Sequence, residues 1–445
     1  MRLSICYNYN DIREAAMSYS HSTISDLSNR LEQALSPEQD RLLRLVAEQA
    51  ARQQLPLYIV GGFVRDLLLG RPGLDFDLVV EGDAIGLART LAARQGGRVT
   101  VHTRFKTAQW FPPPGPSIPE FVDLISARAE YYKHPAALPT IRSGTLGDDL
   151  HRRDFTLNTL ALRLDGDHYG ELIDERGGLE DLQAGIVRAL HPRSFEDDPT
   201  RLFRMVRYEV RYGFKVAPET LALVPRGLRQ LNRLSAERVR HELDLILEEE
   251  KAASILKRLA KLGILAAVHP ALEWNPTTQK RFVEGLAAVQ SLDHPTTRRM
   301  LAWSLWLMDV PTPGLDGIEK RLHFDSSLRD MLQASSALFA GVDSLAGKKP
   351  SQCVVALDKI SRKAVEAVSL ALPAGPARHT LLSYLESWRG IKPKTTGHDL
   401  KKRGLPPGPE YKTLLRKLRA AWLDGEVKTV EQEIALLDKL TKKSP

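Results

Sequence analysis

Cysteine is nearly absent from this 445-residue sequence, which contains only Cys6 and Cys353. Two cysteines so far apart are too few for a disulfide framework or a cysteine-based zinc site. The sequence also lacks an apolar run long enough to cross a bilayer, and residues 1–20 lack the apolar core of a signal peptide. These absences predict a cytoplasmic protein with no membrane association.

The composition is that of an ordinary globular protein, with 43% hydrophobic and 27% charged residues. A chain of this length should divide into more than one domain. The net charge of +8 permits an anionic partner without requiring one. Most of the excess positive charge lies in residues 386–445, which contain 14 Lys and Arg residues and eight Asp and Glu residues. On its own, such a segment is typical of a solvated surface.

The most informative segment, residues 57–82, predicts a strand, a tight turn, a helix and a second strand. An apolar run at 58–60 ends at the pair Gly61-Gly62, and the second strand contains Asp75 and Asp77. Side chains alternate across a strand, so these two carboxylates share one face. The side chains predicted to enter the core from the other face are Phe76, Leu78 and Val80.

Two carboxylates on one strand face raise each other's pKa unless a cation lies between them. Mg²⁺ suits this position because it prefers oxygen ligands and substrate phosphates. The glycine pair lets backbone N–H groups approach a triphosphate, helped by the N-terminus of the following helix. A lone acidic pair or a lone Gly-Gly is more often an ordinary strand edge or turn. Their combination in one short unit predicts a two-metal nucleotidyl-transfer site.

A second motif begins at Asp197 and continues into a helical run in which Arg201, Arg204 and Arg207 recur every three residues. Asp198 and Arg201 are then helical i, i+3 neighbours, and one interpretation is an intrahelical salt bridge of small energy. The alternative is base recognition. A carboxylate beside a guanidinium matches the amino donor and ring-nitrogen acceptor of cytosine and adenine, whereas uracil and guanine present the reverse pair.

The strand, GGxVRD, helix and DxD unit resembles the head domain of polymerase-β-like nucleotidyltransferases. The closest resemblance is to the class II tRNA nucleotidyltransferases and bacterial poly(A) polymerases. It implies an α+β fold, with this head followed by an all-α neck, body and tail. The implied divisions are a loose extension over 1–35, a head over 36–185, a neck over 186–250, a body over 251–385 and a basic tail over 386–445.

The resemblance also implies roles for individual residues. Asp75 and Asp77 would hold two Mg²⁺ ions, and Asp198 and Arg201 would select C and A as a protein template, although Asp197 stands where the family usually has Glu. The residues implied to position the triphosphate and sugar are Gly62, Arg65, Arg153, Arg204 and Arg207. The neck element over 234–243 would brace the template helix. Asp123 is a possible third carboxylate, but an acid on an edge strand is more often structural.

The implied function is addition of CCA to the tRNA 3′ end from CTP and ATP, with release of pyrophosphate. The partners would be tRNA, held at its 3′ end and acceptor/T-arm region with help from the basic tail, and the two nucleotides. Addition of CC only, addition of A only and poly(A) synthesis remain alternatives. The loop over 128–151, expected to be mobile, favours complete CCA addition. A non-catalytic RNA-binding protein is a more distant alternative, and the sequence leaves the oligomeric state open.

Overall fold

The computed structural model describes residues 27–71, 76–288 and 295–441. Asp75 and most of the predicted N-terminal extension therefore lie outside the described residues. Within the described ranges, no helix is long and apolar enough to cross a membrane. The chain divides into two compact units: the first comprises residues up to 242 together with 262–267, and the second comprises 243–261 and the residues from 268 onward.

The first unit contains a mixed sheet of seven strands in the order β3-β4-β5-β2-β1-β8-β9. Only β2 and β5 in this sheet run parallel to each other; the other described neighbours are antiparallel. The strands of this sheet are β1 (Leu57–Val60), β2 (Asp77–Val80), β3 (Arg98–His102), β4 (Thr107–Phe111), β5 (Val122–Ser126), β8 (Ala161–Arg163) and β9 (Leu172–Ile173). Two separate ladders pair β6 (Arg128–Tyr131) with β7 (Thr140–Ser143), and β10 (Ile186–Val187) with β11 (Lys215–Val216).

The helices that lie wholly in the first unit are, in chain order, α1 (Ser28–Ala34), α2 (Pro37–Arg52), α3 (Gly62–Leu68), α4 (Ala84–Gln95), α5 (Leu146–His151), α6 (Gly178–Ala184), α7 (Ser194–Asp197), α8 (Arg201–Tyr212), α9 (Pro218–Leu221) and α10 (Val224–Leu228). Helix α11 (Ala236–Leu247) begins in the first unit and ends in the second, α12 (Ala252–Lys261) belongs to the second, and α13 (Ile264–Val268) belongs to the first except for its last residue. Helix α2 begins with a capping box: Ser36 Oγ accepts from the Gln39 backbone N–H, and the Gln39 side chain accepts from the Ser36 N–H.

Three predictions need correction. The N-terminal extension is not loose throughout, because α1 packs through Leu27, Leu31 and Leu35, an apolar stripe at helical spacing within a polar composition. Strands do not end at Gly185, since the two-residue strands β10 and β11 follow it. The expected loop over 128–151 forms the β6–β7 hairpin and helix α5.

The second unit contains helices and no strand over its described residues. Its remaining helices are α14 (Pro276–Ala287), α15 (Pro295–Leu307), α16 (Thr312–Leu322), α17 (Ser326–Gly341), α18 (Pro350–Leu357), α19 (Arg362–Ala371), α20 (Pro376–Glu386), α21 (Gly397–Lys402), α22 (Pro409–Leu423) and α23 (Val430–Thr441). The α+β fold with a mostly helical C-terminal part is confirmed. In the tail, Leu400, Leu414, Leu418 and Leu437 form a small core of their own.

Candidate active site

Two carboxylates lie side by side on the sheet of the first unit. Asp77 begins β2 and is paired in register with Asp123 on β5. Neighbouring strands lie about 4.8 Å apart, so the side chains of such a pair leave the same face together. Phe76, Leu78 and Val80 are buried as predicted and Asp77 is partly exposed, but Val79 is also buried, so both faces of the end of β2 are covered.

The interpretation of Asp123 as an acid on an edge strand is wrong. Strand β5 lies inside the sheet, between β4 and β2. The pairing of β2 with β5 is a parallel, long-range one, and local sequence patterns do not encode such a register. The structure places Asp123 beside Asp77, although an acid at this position was expected to be structural.

Asp77 lines a cavity of about 520 Å³ whose wall is dominated by arginines. The remaining lining residues are Gly62, Arg65, Ile125, Arg128, Arg152, Arg153, Asp154, Asn158, Asp198, Thr200, Arg201, Arg204, Arg207, Tyr208, Arg211 and Glu242. All the predicted site residues that the structure describes are thus in one cavity. Its carboxylate oxygens suit a divalent cation, and its guanidinium groups suit an anionic ligand.

The glycine turn is shaped around an arginine. Helix α3 begins at Gly62, and the preceding Gly61 has a φ of +71°, a conformation that favours glycine. A Cβ at Gly61 would lie 2.4 Å from Nη1 of Arg153. Gly62 lines the cavity as predicted, but Gly61 is the position at which a side chain would displace Arg153.

Arg152 and Arg153 share a buried carboxylate. Both follow the end of α5, and both donate to Asp149, over 2.7 Å and 3.1 Å respectively. Burial alone would raise the pKa of Asp149, but the two guanidinium groups hold it below its ordinary value. Both arginines of the pair line the cavity, whereas the resemblance implied a role only for Arg153. Arg152 also bonds Glu130 on the β6–β7 hairpin.

Arg204 is fixed by Asp154 at one edge of its guanidinium group. Its Nε donates to Asp154 Oδ2 over 2.6 Å, while Asp154 Oδ1 accepts from Asn158 and from the Phe155 backbone. Burial opposes ionisation of Asp154, but Arg204 and the bond from Asn158 lower its pKa to about 2. Asp154 thus links Asn158 to Arg204.

Arg65 is buried between α3 and α8. Its guanidinium donates to both oxygens of Asp66 and to Asn158 Oδ1, and it lies over the rings of Tyr208 and Tyr212 at 5.2 Å and 4.8 Å. Although it lines the cavity, three of its nitrogens already donate within the protein. This geometry suits a strut between the predicted head and neck at least as well as the predicted triphosphate ligand.

The expected Asp198–Arg201 helical pair is not formed. Asp198 has extended backbone angles and α8 begins only at Arg201, so the two are not neighbours on one helix. Within the described part of the chain their side chains bond elsewhere: Asp198 accepts from Arg238, and Arg201 donates to Ser194 Oγ and the Arg152 carbonyl. Both nevertheless line the cavity.

Helix α11, which is distant in sequence from Asp198 and α8, bonds to side chains of both. Glu242 pairs with buried Arg207 over 3.2 Å, and Arg238 reaches Asp198 over 2.7 Å. Arg238 and Glu242 belong to the neck element over 234–243, which was expected to brace the template helix α8. Their bonds to Asp198 and Arg207 are consistent with that expectation. Arg211 was missed, although its place four residues after Arg207 continues the basic stripe at helical spacing.

Two models of known families match parts of the chain. Residues 57–188 match the model described as the poly A polymerase head domain. Residues 213–275 match the model described as the probable RNA and SrmB-binding site of polymerase A. The head match begins at β1, ends at β10 and includes both Asp77 and Asp123.

Three curated relatives extend over most of the chain. The A-adding tRNA nucleotidyltransferase of Geobacter sulfurreducens is 35% identical and aligns with 90% of this chain and 47% of its own. The A-adding enzyme of Halalkalibacterium halodurans is 31% identical, covering 94% of this chain and 95% of its own. The CC-adding enzyme of Geobacter sulfurreducens is 28% identical, covering 86% and 92%. The chain thus spans about half the length of the first relative and nearly all of the other two.

Solved structures give the same answer for the fold. A CCA-adding enzyme in an apo form superposes with a TM-score of 0.79 at 29% identity, covering 93% of this chain and 99% of its own. The Thermotoga maritima CCA-adding enzyme in complex with tRNA superposes with a TM-score of 0.74 at 28% identity, covering 93% and 98%. The predicted polymerase-β-like fold is confirmed, and the chain belongs to the tRNA nucleotidyltransferase family.

Proposed function

We propose that this protein adds nucleotides from CTP and ATP to the 3′ end of tRNA, without a nucleic-acid template, and completes the terminal CCA. One observation supports this above the others: a single cavity joins a paired strand carboxylate, Asp77, to a wall of arginines on α8. A binding protein for RNA has no need of adjacent carboxylates in a cationic cavity, because they repel the phosphates it must hold.

The acidic side of the cavity is the proposed metal site. Nucleotidyltransferases of this family depend on a metal ion, and we assign Mg²⁺ to Asp75, Asp77 and Asp123 because their hard oxygen ligands suit it. When bound, Mg²⁺ lowers the pKa of the attacking 3′-hydroxyl and stabilises charge on the pyrophosphate that leaves. The pairing of β2 with β5 holds Asp77 and Asp123 in register, so both carboxylates leave the same sheet face.

The basic side is the proposed triphosphate site. The first backbone N–H groups of α3, at Gly62, and the guanidinium groups of Arg153, Arg204 and Arg207 face one cavity. Guanidinium groups bind phosphate oxygens through charge-assisted hydrogen bonds. Arg153 and Arg204 are held by buried carboxylates, which fixes their direction before a nucleotide arrives. Such positioning favours in-line attack on the α-phosphate.

The template is the proposed base-recognition site. Asp198 supplies an acceptor and Arg201 a donor on the same cavity wall. Cytosine and adenine present the complementary amino donor and ring-nitrogen acceptor, whereas uracil and guanine leave polar groups unmatched. Each unmatched buried polar group costs about 1–3 kcal/mol, enough to exclude the wrong base.

Addition of the terminal A alone is a second candidate. Two relatives more than 30% identical over at least 90% of this chain are both A-adding enzymes. The Geobacter sulfurreducens A-adding enzyme is also more similar to this chain than the CC-adding enzyme of the same organism. This similarity is specific enough to be tested beside complete CCA addition. Either activity fits the predicted cytoplasmic location and a tRNA partner.

The deciding experiment uses three tRNA transcripts, ending before CCA, after C and after CC, with labelled CTP or ATP. Complete CCA addition predicts CTP incorporation into the first two and ATP incorporation into the third. An A-adding enzyme extends only the third, and only with ATP. Long ATP-dependent tails on all three would instead identify a poly(A) polymerase. No incorporation into any transcript, with Mg²⁺ present, would contradict the proposed function.

A further inference from the structure

The two carboxylate oxygens of Asp198 are in different surroundings. Oδ1 accepts three hydrogen bonds, from the Thr200 backbone N–H at 3.0 Å, from Thr200 Oγ1 at 2.7 Å and from Arg238 Nη2 at 2.7 Å. An ionised carboxylate offers about two lone-pair sites on each oxygen, so Oδ1 has none left for a ligand. Among the contacts of the described residues, none involves Oδ2, and Asp198 lines the cavity.

The torsion that turns this carboxylate is not fixed by rotamer preference. The last side-chain torsion of aspartate is broad and roughly two-fold, so its oxygens exchange easily unless bonds hold them. Both bonds from Thr200 come from a residue only two positions away on the same turn. Arg238 differs because it comes from α11, 40 residues further along the chain.

Helix α11 contacts both Asp198 of the template and the arginine stripe of α8. Arg238 bonds Asp198 before α8 begins, and Glu242, one helical turn later, bonds Arg207 within α8. Positions four apart on a helix share one face, so both contacts come from the same side of α11. A bond from Arg238 therefore fixes the plane of the Asp198 carboxylate relative to the arginine stripe.

We infer that Arg238 is a positioning residue for base selection: it occupies Oδ1 of Asp198 and leaves Oδ2 as the single acceptor for the base. This inference rests on the proposed function. A single, fixed acceptor beside Arg201 favours a base whose exocyclic amino group is next to an unprotonated ring nitrogen, as in adenine and cytosine; in guanine the ring nitrogen next to the amino group carries a hydrogen. A carboxylate that is free to turn could present either oxygen to the base, in several orientations, and could bond water instead. Both effects weaken discrimination against guanine and uracil.

A role in stability alone would give a different result. Arg238 is partly exposed, with 27% of its side chain accessible, and its partner Asp198 has 20% accessible. If Arg238 only stabilised the fold, its removal would slow incorporation of every nucleotide by a similar factor. A positioning residue changes the ratio between nucleotides, because the correct base loses more than the wrong one.

The test compares Arg238→Gln and Arg238→Lys with the wild-type full-length protein. Single-nucleotide incorporation with each of the four nucleotides gives kcat and KM separately, on the tRNA end that the wild type extends. We expect Arg238→Gln to lower the preference for ATP over GTP by roughly tenfold, which corresponds to about 1.4 kcal/mol. Most of the loss should be in KM for ATP. Arg238→Lys, which retains one donor, should recover part of the preference.

The matched control is Arg233→Gln, which removes an exposed arginine just before α11. It should leave the preference unchanged. Equal loss with all four nucleotides in Arg238→Gln would overturn the inference, and so would an unchanged preference in both Arg238 variants. If Arg238→Gln does not fold, Arg238→Lys decides alone, since its preference must lie below that of the wild type.

A double-mutant cycle adds a second, independent readout. Asp198→Ala removes the acceptor itself, so Arg238→Gln should have little further effect on the preference in that background. Additive effects would overturn the inference, because they would show that Arg238 acts on selection by another route. The wild type serves as the test of the proposed function: absence of any incorporation by it contradicts that function, whereas selective incorporation with unchanged Arg238 variants contradicts only the inference.

Discussion

The acidic and basic sides of the cavity are built in different ways. Asp77 and Asp123 are placed by backbone pairing, since β2 and β5 hold them in register on one sheet face. The arginines of α8 are placed by side chains: Arg204 by Asp154, and Arg207 by Glu242. One side of the site therefore depends on strand register, and the other on individual ion pairs between elements distant in sequence.

This difference has consequences for mutation. Replacing a carboxylate on the sheet removes its chemistry but leaves the backbone pairing that places it intact, so the fold should tolerate the change. Removing a carboxylate that holds an arginine leaves a partly buried positive charge without its partner, which costs stability as well as function. Substitutions on the acidic side should thus separate activity from stability, whereas those on the basic side should couple the two.

The largest effect is expected for Asp77→Asn. We expect incorporation to fall by roughly 1,000-fold or more, because loss of a metal ligand removes several kcal/mol of charge stabilisation. Affinity for tRNA and the urea midpoint should change little. Asp123→Asn tests the carboxylate revealed by the sheet register and should lower incorporation by at least roughly tenfold. Near-wild-type activity in Asp77→Asn would remove the acidic side from the mechanism.

How far the sequence predicts this site depends on the distance over which each contact acts. The alternation of Phe76, Asp77 and Leu78 is local, so a partly exposed Asp77 between two buried neighbours could be predicted from pattern alone. The neighbouring position of Asp123 could not, because it depends on the long-range pairing of β5 with β2. The segment 128–151 was predicted to be a loop because it contains several proline and glycine residues, but these residues lie around the β6–β7 hairpin and do not prevent it from forming.

The template shows the same limit in a helix. Spacing of three placed Arg201, Arg204 and Arg207 on one cavity wall, as the structure has them. The same spacing failed for Asp198, because α8 begins three residues later and Asp198 is extended. Helix boundaries are the least certain feature of a sequence pattern, and an i, i+3 argument fails when one member lies outside the helix.

The second expected effect is on stability, from Asp154→Asn. This change removes the charge that holds Arg204 while keeping the side-chain size, and we expect unfolding to become easier by about 2–4 kcal/mol. The folded pKa of Asp154 is about 2, below its ordinary 3.8. Its contribution is therefore fully present above pH 3.8 and is lost as the pH falls towards 2.

Urea unfolding as a function of pH measures this prediction. The difference between wild type and Asp154→Asn should shrink by about 2–3 kcal/mol as the pH falls through that window. Asp167→Asn is the control, since Asp167 is exposed on a surface turn. A difference that does not change with pH would show that the Asp154–Arg204 pair contributes no linked protonation, and would weaken the distinction between the two sides.

The third expected effect comes from the glycine turn, where the two sides meet. Gly61→Ala should lower nucleotide use by roughly tenfold, because a Cβ there would lie 2.4 Å from Arg153 Nη1 and must displace it. Strain at positive φ should cost about 1 kcal/mol of stability in addition. Gly70→Ala is a matched control, with a φ of +66° and no atom within 4 Å of the added Cβ. It should show the loss of stability alone. Equal activity of the two variants would contradict the assigned position of Arg153.

The smallest effect is expected in the second unit, where the basic tail is proposed to contact tRNA. Truncation is unsuitable because Leu414 and Leu418 of α22 belong to a core. Exposed cations of the same helix can be neutralised instead, by the triple change of Lys412, Arg416 and Lys417 to Gln. Each lost phosphate contact should lower the salt slope of tRNA binding by about 0.7–0.9, with kcat at saturating tRNA unchanged.

The control for the tail is a triple change with the same loss of charge outside it. Lys320, Lys359 and Lys363, also exposed in the second unit, are replaced by Gln. If the tail contacts phosphate directly, only the first triple variant should lose slope, since a general loss of positive charge acts on both alike. Equal losses in the two variants would show that the tail contributes only to the overall field of the protein, as a solvated surface does.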